Sequence, residues 1–559
     1  MIREEIVNLI QKSIKELQKE KIFPKFDIPE IQIERPEEKI HGDYATNVAM
    51  VIAKLIKKEP MEISKLIIEN CKLQIDKPFE KIEVAKPGFI NFFLSKDYLQ
   101  KQVEEILKEG EKFGNLKNGK NKKTQVEFIS ANPTGPLHIG NGRGAFFGDT
   151  LANVLEKAGY KVTREYYIND AKVNTQIKIL GQTALGKGTT YLTEKLKTQI
   201  SNLKTTTQMS KLNEGEVGYL LAQEVQKDIK DFVENKLKIK FDNWVSEEDL
   251  YRKDKVDKIF NWLKNKSLAY QKAGAWRIKT SQFGTPPTHR PPASRAPEKD
   301  WVIIRETGEP TYLMSDIAYH KDKFDRGFQK IINIWGADHQ GHVSKMKAVA
   351  KILGYKGNLD ILIFQIVRLK GGIKISKRKG TAIDLEWLID EVGLDAARFF
   401  YLMKSLDTQM EFDVELAKEK SEKNPVYYVQ YANARIHSIL AKSKVKTTYP
   451  PPTLPLKRAP RQKSKVNLKL LSHPSELELI KQLIRFPEIV EDTARDYQIQ
   501  RIPQYALDLA TIFHQFYRDC KVLTEDKNLR EARLGLILAT KIVLKSTLDL
   551  MGISAPEKM

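Results

Sequence analysis

The sequence predicts a multidomain α/β protein: a small α+β unit, a domain built on a parallel sheet, and a helical C-terminal bundle. Three observations lead there. From Thr124 the order is strand, glycine-rich turn, helix, strand, which is how a parallel α/β sheet begins. Strand-sized apolar runs recur at Ile331–Trp335 and Ile361–Val367. After Asp384 the pattern is mostly helical. The 559 residues amount to three or four domain-lengths at roughly 100–200 residues each.

Taken in order, residues 1 to about 115 form the first unit. Helical stretches flank the loop His41-Gly42-Asp43-Tyr44, and a strand pair at Ile82–Val84 and Phe89–Leu94 turns at Pro87-Gly88. The run 116–123 is polar, basic and glycine-containing, as linkers are. The second unit, 124–410, starts with a strand at Val126–Ser130, a glycine-rich segment His138–Gly148 opening a helix that ends near Gly159, and a strand at Val162–Ile168. An insertion spans about 171–310. Within it, Thr285–Pro297 holds five prolines and no acidic residue, which excludes a helix or central strand and reads as an exposed loop. The third unit, 411–559, is helical apart from Lys442–Lys469, with nine basic residues, five prolines and no acid; it reads as a connector, or as a tether touching phosphates.

Composition narrows the function classes. Hydrophobic residues at 41% and charged residues at 30% supply large cores and exclude a disordered tail. No run approaches the roughly 18 apolar residues of a membrane span. The first 21 residues read as an amphipathic surface helix without a secretory apolar core, and two distant cysteines, Cys71 and Cys520, provide neither a disulfide framework nor a zinc site. A cytoplasmic protein with no membrane contact is expected. Lysine plus arginine total 94 against 72 acids, a net charge of +22; this favours a polyanionic partner by steering, but charge alone does not select one.

Two segments carry chemistry. Glycines at 135, 140, 142 and 144 surround His138-Ile139-Gly140-Asn141 at a strand-to-helix turn, where a helix N-terminus suits phosphate. The segment is neither a P-loop nor the dinucleotide fingerprint, since the endings and spacings differ. Gly371–Thr381 places cations at 374, 377, 378 and 379 on a glycine-flanked loop. A cationic loop paired with a histidine–glycine turn fits adenylyl transfer, whose barrier is charge on phosphoryl oxygens, lowered by positioned cations and magnesium.

These two motifs resemble the signatures of class I aminoacyl-tRNA synthetases. Their surroundings narrow the likeness to the arginyl-tRNA synthetase family. Glu127–Gly144, Arg164–Asp170, Gly308–Tyr319, Gly336–His342, Gln504–Tyr517, Gly552–Pro556 and the loop His41–Asn47 all look like that family, in its order and over nearly the whole chain. The departures are Asn141, where the class has a second histidine, a longer run after Asn169-Asp170, and the proline-rich stretches 285–297 and 450–460.

The resemblance implies a Rossmann-like catalytic domain, an N-terminal domain touching the tRNA elbow, and an all-α anticodon-binding bundle. The activity it implies is ligation of L-arginine to tRNA(Arg), by a monomer, with ATP as the magnesium complex and no structural metal. Its implied ATP site is Pro136, His138, Gly140, Asn141, Gly142, Lys374, Ile375, Ser376, Lys377 and Arg378, with His138, Asn141, Lys374 and Lys377 catalytic. Glu127 and Asp316 are expected to hold the guanidinium, with Ser130, Asn132, Tyr312, His339 and Gln340 completing the arginine pocket. For tRNA the expected contacts on the bundle are Tyr427, Tyr428, Tyr431, Arg435, Tyr505, Arg518 and Met559, while Asp43 and Tyr44 are either loop formers or contacts. His339-x-x-His342 could be half a metal site, but no third ligand is evident. The rivals are a small-molecule ligase of the same fold and a silent RNA-binding relative.

Overall fold

The structure, a computed structural model, describes residues 1–72, 78–283, 300–372, 383–443 and 466–559. The second cationic loop, with Lys374, Ile375, Ser376, Lys377 and Arg378, lies outside the described residues, as do Thr285–Pro297 and the proline-rich part of Lys442–Lys469.

In the N-terminal unit, β1 (Tyr44–Thr46), β2 (Phe79–Ala85) and β3 (Phe89–Leu94) form an antiparallel sheet in the order β1-β3-β2. The sequence reading treated 41–47 as loop. Tyr44, Ala45 and Thr46 are all buried, so this stretch adds an edge strand. Helices Ile2–Lys19, Pro60–Lys72 and Lys96–Glu109 cover the unit. The first buries Ile2, Ile6, Ile10, Ile14 and Leu17, a stripe at the helical period.

The central sheet is parallel, with β4 (Lys123–Glu127), β5 (Lys161–Ile168), β6 (Asn243–Ser246), β10 (Lys330–Gly336) and β11 (Asn358–Phe364) in the order β11-β10-β4-β5-β6. The chain steps outward from β4 through β5 to β6, then returns to the other side of β4 as β10. The switch point therefore lies between β4 and β10, and ligands of open parallel sheets sit at the strand C-termini there. The insertion contributes β6 and an antiparallel sheet of β7 (Ala269–Lys272), β8 (Ala275–Ile278) and β9 (Trp301–Ile304).

The first sheet strand stops earlier than expected. Ile129 and Ser130 have φ of +66° and +42°, left-handed backbone that a β-branched residue rarely adopts. Two short strands, β12 (Val367–Leu369) and β13 (Met410–Phe412), pair in parallel outside the main sheet. Helices Pro425–Lys442, Pro474–Leu483, Phe486–Asp496, Arg501–Asp519 and Lys527–Met551 form the C-terminal bundle. The last stops at Gly552, φ +65°. A side chain there would meet Arg398, whose buried guanidinium donates to Asp149 at 2.7 Å, to the Met551 carbonyl at 2.9 Å and to the Leu237 carbonyl at 2.8 Å. One arginine thus ties the bundle to the helix that follows His138. Among the described residues no helix is long and apolar enough to cross a membrane.

Candidate active site

The turn after β4 opens helix Ile139–Lys157 with His138 as its N-cap. His138 Nδ1 accepts the Gly140 N–H at 3.1 Å, and Asn141 Oδ1 accepts the His138 N–H at 2.9 Å. The two side chains close a reciprocal capping box. With Nδ1 accepting, the neutral ring carries its proton on Nε2, and burial lowers the His138 pKa against the pull of Asp384 and Asp338. At neutral pH the exposed imidazole is therefore a hydrogen-bond donor. Asn141, the departure from the class pattern, caps with its oxygen, so its NH2 is not used in the cap.

The glycines do different work from that expected. A side chain at Gly142 would strike Leu385 and Tyr401, at Gly144 the Phe364 ring, and at Gly148 the Phe128 ring. These positions are needed for helix packing. Only at Gly135 does the added carbon meet open space. Pro136 is exposed beside it.

Ile383–Leu385, the described residues directly following the second cationic loop, are sewn to this turn. Ile139 N–H donates to the Ile383 carbonyl at 2.8 Å, Leu385 N–H donates to the Leu137 carbonyl at 2.8 Å, and His138 bridges Asp384. On the other side, Lys370 pairs with Asp413 at 2.8 Å before the loop begins.

At the C-terminal ends of β4, β5 and β6 lies a cluster of acids. Glu127 ends β4 and is buried, but its carboxylate is paired with Lys323, which is fully buried and also donates to Asn333 Oδ1 at 2.9 Å. An ammonium in the core requires a counter-charge, and Glu127 supplies it through one carboxylate oxygen while still acting on Asp316. Asp316 stands on helix Tyr312–Asp325. Burial, with Glu247 and Glu127 adding to it, raises its carboxyl to about 7 against the pull of Lys323 and Lys345.

The second acid beside it is Glu247, buried at the first turn of the helix after β6 and accepting from Asn174 Nδ2 at 3.2 Å. Burial raises its pKa as well. Neither Glu247 nor Asp316 has an ion-pair partner among the described residues. A buried carboxylate beside a half-buried one, neither with a cation of its own among the described residues, is chemically suited to a cation that comes from outside. The sequence reading missed Glu247. The available signal was the short pair Trp244-Val245 followed by a Ser246 cap, a strand running into a helix inside the insertion.

The other expected pocket residues are dispersed. Ser130 Oγ accepts the Tyr167 N–H at 3.1 Å, fixing β4 to β5, and Asn132 Nδ2 donates to Gln176 Oε1 at 2.7 Å. Tyr312 is exposed one turn before Asp316, on the same helix face. His339 and Gln340 are exposed beyond β10. The His339 ring lies 6.0 Å from both Trp335 and His342. No cluster of three or more metal-ligating side chains occurs among the described residues.

On the bundle, Tyr427 and Tyr431 are stacked at 6.4 Å, and the Arg435 guanidinium lies 4.7 Å over Tyr431 and 4.9 Å over Tyr517. Tyr431 and Tyr517 are exposed, so this is a platform of rings and a cation open to solvent. Arg518, also exposed, donates to Asp519 at 2.9 Å, and Met559 is exposed. Three further residues of the tRNA expectation are engaged within the protein. Tyr44 is 0% exposed, with its hydroxyl on Glu488 at 2.6 Å. Asp43 accepts the Leu94 N–H at 2.8 Å and pairs with Lys481 at 2.7 Å. Tyr505 is buried, donating to the Gln482 carbonyl at 2.9 Å. Tyr44 and Tyr505 are core residues because each has an apolar ring to bury and an acceptor within reach.

The chain matches three described families along its length. These are the arginyl tRNA synthetase N-terminal domain over residues 4–94, the catalytic domain of class I (R) tRNA synthetases over 102–419, and the DALR anticodon binding domain over 429–559. It is 42% identical to an arginine–tRNA ligase of Carboxydothermus hydrogenoformans, covering 94% of each chain, and 39% identical to that of Bacillus subtilis, covering all of both. The fold is similar to that of Thermus thermophilus arginyl-tRNA synthetase, with a TM-score of 0.75 at 22% identity and full coverage of both chains.

Proposed function

The chain belongs to the arginyl-tRNA synthetase family, and from that premise we propose how its residues carry out the reaction. The activity is ligation of arginine to tRNA with ATP. In the first step an oxygen of the arginine carboxylate attacks the α-phosphorus of ATP, the bond to the bridging oxygen breaks, and pyrophosphate leaves. In the second, a hydroxyl of the terminal ribose of the tRNA attacks the acyl carbon and AMP departs.

We assign the guanidinium to Glu247 and Asp316. The observation that carries this is a pair of carboxylates, Glu247 buried and Asp316 half-buried, with no ion-pair partner among the described residues, beyond the C-terminal ends of the sheet strands. A planar cation with five donors satisfies two carboxylates; an ammonium leaves acceptors buried and unpaired, which is the basis for rejecting lysine. Asn132, His339 and Gln340 are proposed for the amino-acid end, and Tyr312 for the rim. His138 Nε2 and Asn141 Nδ2 donate to the α-phosphate as charge builds there. Lys374 and Lys377 hold the β- and γ-phosphates of ATP, which enters as its magnesium complex. We further propose units at 1–115, 124–410 and 411–559, and a cytoplasmic monomer.

Pyrophosphate exchange with each of the twenty amino acids, with and without tRNA, tests the assignment: exchange dependent on arginine is expected, and exchange with another amino acid would refute it. In that assay His138→Ala is expected to lose about 10²–10³ in rate, the usual cost of one transition-state donor, and an undiminished rate removes His138 from the mechanism. For the ring platform, Tyr431→Ala is expected to raise the KM for tRNA by about 5–100-fold through lost base stacking. Arginine affinity should not change. A tRNA KM within twofold of the unmodified chain would place RNA contact elsewhere.

A further inference from the structure

Tyr167 is the penultimate residue of β5, beside the acidic cluster. Its ring lies flat against Tyr319, with centroids 4.0 Å apart and planes 9° from parallel, and its N–H is held by Ser130 Oγ. The hydroxyl is buried and has no hydrogen-bond partner among the described residues. The groups facing it are Glu247, Asp316, Tyr251 and Glu127. Three of these are engaged. Tyr251 shares a hydrogen bond with Ser315 at 2.7 Å, Glu247 accepts from Asn174, and Glu127 is paired with Lys323. The Asp316 carboxylate has no hydrogen bond or ion pair among the described residues. An unpaired donor and an unpaired acceptor thus share one pocket. A ring needed only for packing would do better as phenylalanine, since an orphaned buried hydroxyl is destabilising.

We propose that Tyr167 is a positioning residue for arginine: its hydroxyl donates to the Asp316 carboxylate once a guanidinium occupies the pocket, and stands unpaired when the pocket is empty. The proposal rests on reading this pocket as the arginine site. In the empty pocket Glu247 and Glu127 oppose ionisation of Asp316, with Lys323 on its own helix and Lys345 on the next helix favouring it. A neutral carboxyl is a poor acceptor. Arginine fixes the ionised form, and a hydrogen bond to a charge is about twice as strong as one between neutral groups. The hydroxyl then holds one carboxylate oxygen in place and leaves the other for the guanidinium.

The test is calorimetric titration of the full-length protein with L-arginine, using Tyr167→Phe, which keeps the ring stack. Arginine affinity is expected to fall about 10–100-fold, with ATP affinity within twofold and the Tm of the unliganded protein no lower. In an Asp316→Asn background the same change should alter arginine affinity by less than about twofold, because its acceptor has lost its charge. Unchanged affinity in Tyr167→Phe, or an equal loss in both backgrounds, would overturn the proposal while leaving the pocket assignment intact. Failure of the folded wild-type protein to bind arginine would overturn the assignment and the proposal together.

Discussion

Asparagine in place of Asp316 is expected to weaken arginine binding by about 10²–10³-fold, because a buried guanidinium that loses one carboxylate is left partly uncompensated. The amide keeps shape and one acceptor but no charge, so ATP affinity should stay within about threefold. The pH dependence separates this from a packing defect. With its carboxyl at about 7, the empty wild-type pocket must lose a proton to receive arginine. Affinity should therefore fall tenfold per unit below about pH 7 and level off above it. Asp316→Asn should remove that slope. Stability moves oppositely. The folded-state pKa is raised above the unfolded value, so the acid contributes most favourably at low pH, and that contribution is lost as pH rises through about 7. The unliganded variant should thus melt higher than wild type, with a gain that opens between about pH 4 and pH 7 and is constant above. Arginine affinities within threefold of each other and overlapping melting profiles would exclude Asp316 from the pocket.

β10 and β11 were legible because each carries a compact, mostly apolar run, and a buried parallel strand needs nothing more. The strand β6 was not. Its four residues are Asn243, Trp244, Val245 and Ser246, all half-buried at the sheet edge, and too short for any period to emerge. Glu247 went unseen with it, although the pocket depends on both. Glu127 was legible as a residue of the first sheet strand, but its partner Lys323 lies 196 residues away, and pairings at that separation leave no local trace. The glycine turn was recognised as a site, while its glycines turned out to face Leu385, Tyr401 and Phe364. A motif reports that small residues are needed and is silent on whether ligand or protein fills the space. The loop His41–Asn47 teaches the same lesson, since Tyr44 is buried.

That loop leads to the second large effect, the docking of the N-terminal unit on the bundle. Glu488, almost fully buried on helix Phe486–Asp496, accepts from Tyr44 Oη at 2.6 Å and Arg35 Nε at 3.0 Å, and lies 3.6 Å from Arg3 Nη2. Arg3 also grips Asp492 through two nitrogens at 2.9 and 3.1 Å, and Arg35 lies 4.3 Å over the Tyr44 ring. Lys481–Asp43 at 2.7 Å closes the flank. Glu488 therefore neutralises Arg35 and shares Arg3 with Asp492. Glu488→Gln preserves shape but removes that charge, leaving half-buried Arg35 without its carboxylate while Arg3 keeps Asp492, and losing such a charged hydrogen bond costs about 1.5–3 kcal/mol. Opening of this interface should become about 10–10² times more frequent, read as faster hydrogen exchange at residues 33–46 and 486–495. Arginine affinity, set at the switch point of the central sheet, should not move, whereas the KM for tRNA should rise if the RNA is held by both units at once. Exchange rates matching wild type in both segments would show that the units are held together without Glu488, by Arg3–Asp492, Lys481–Asp43 and the packing of Phe113 on Phe486.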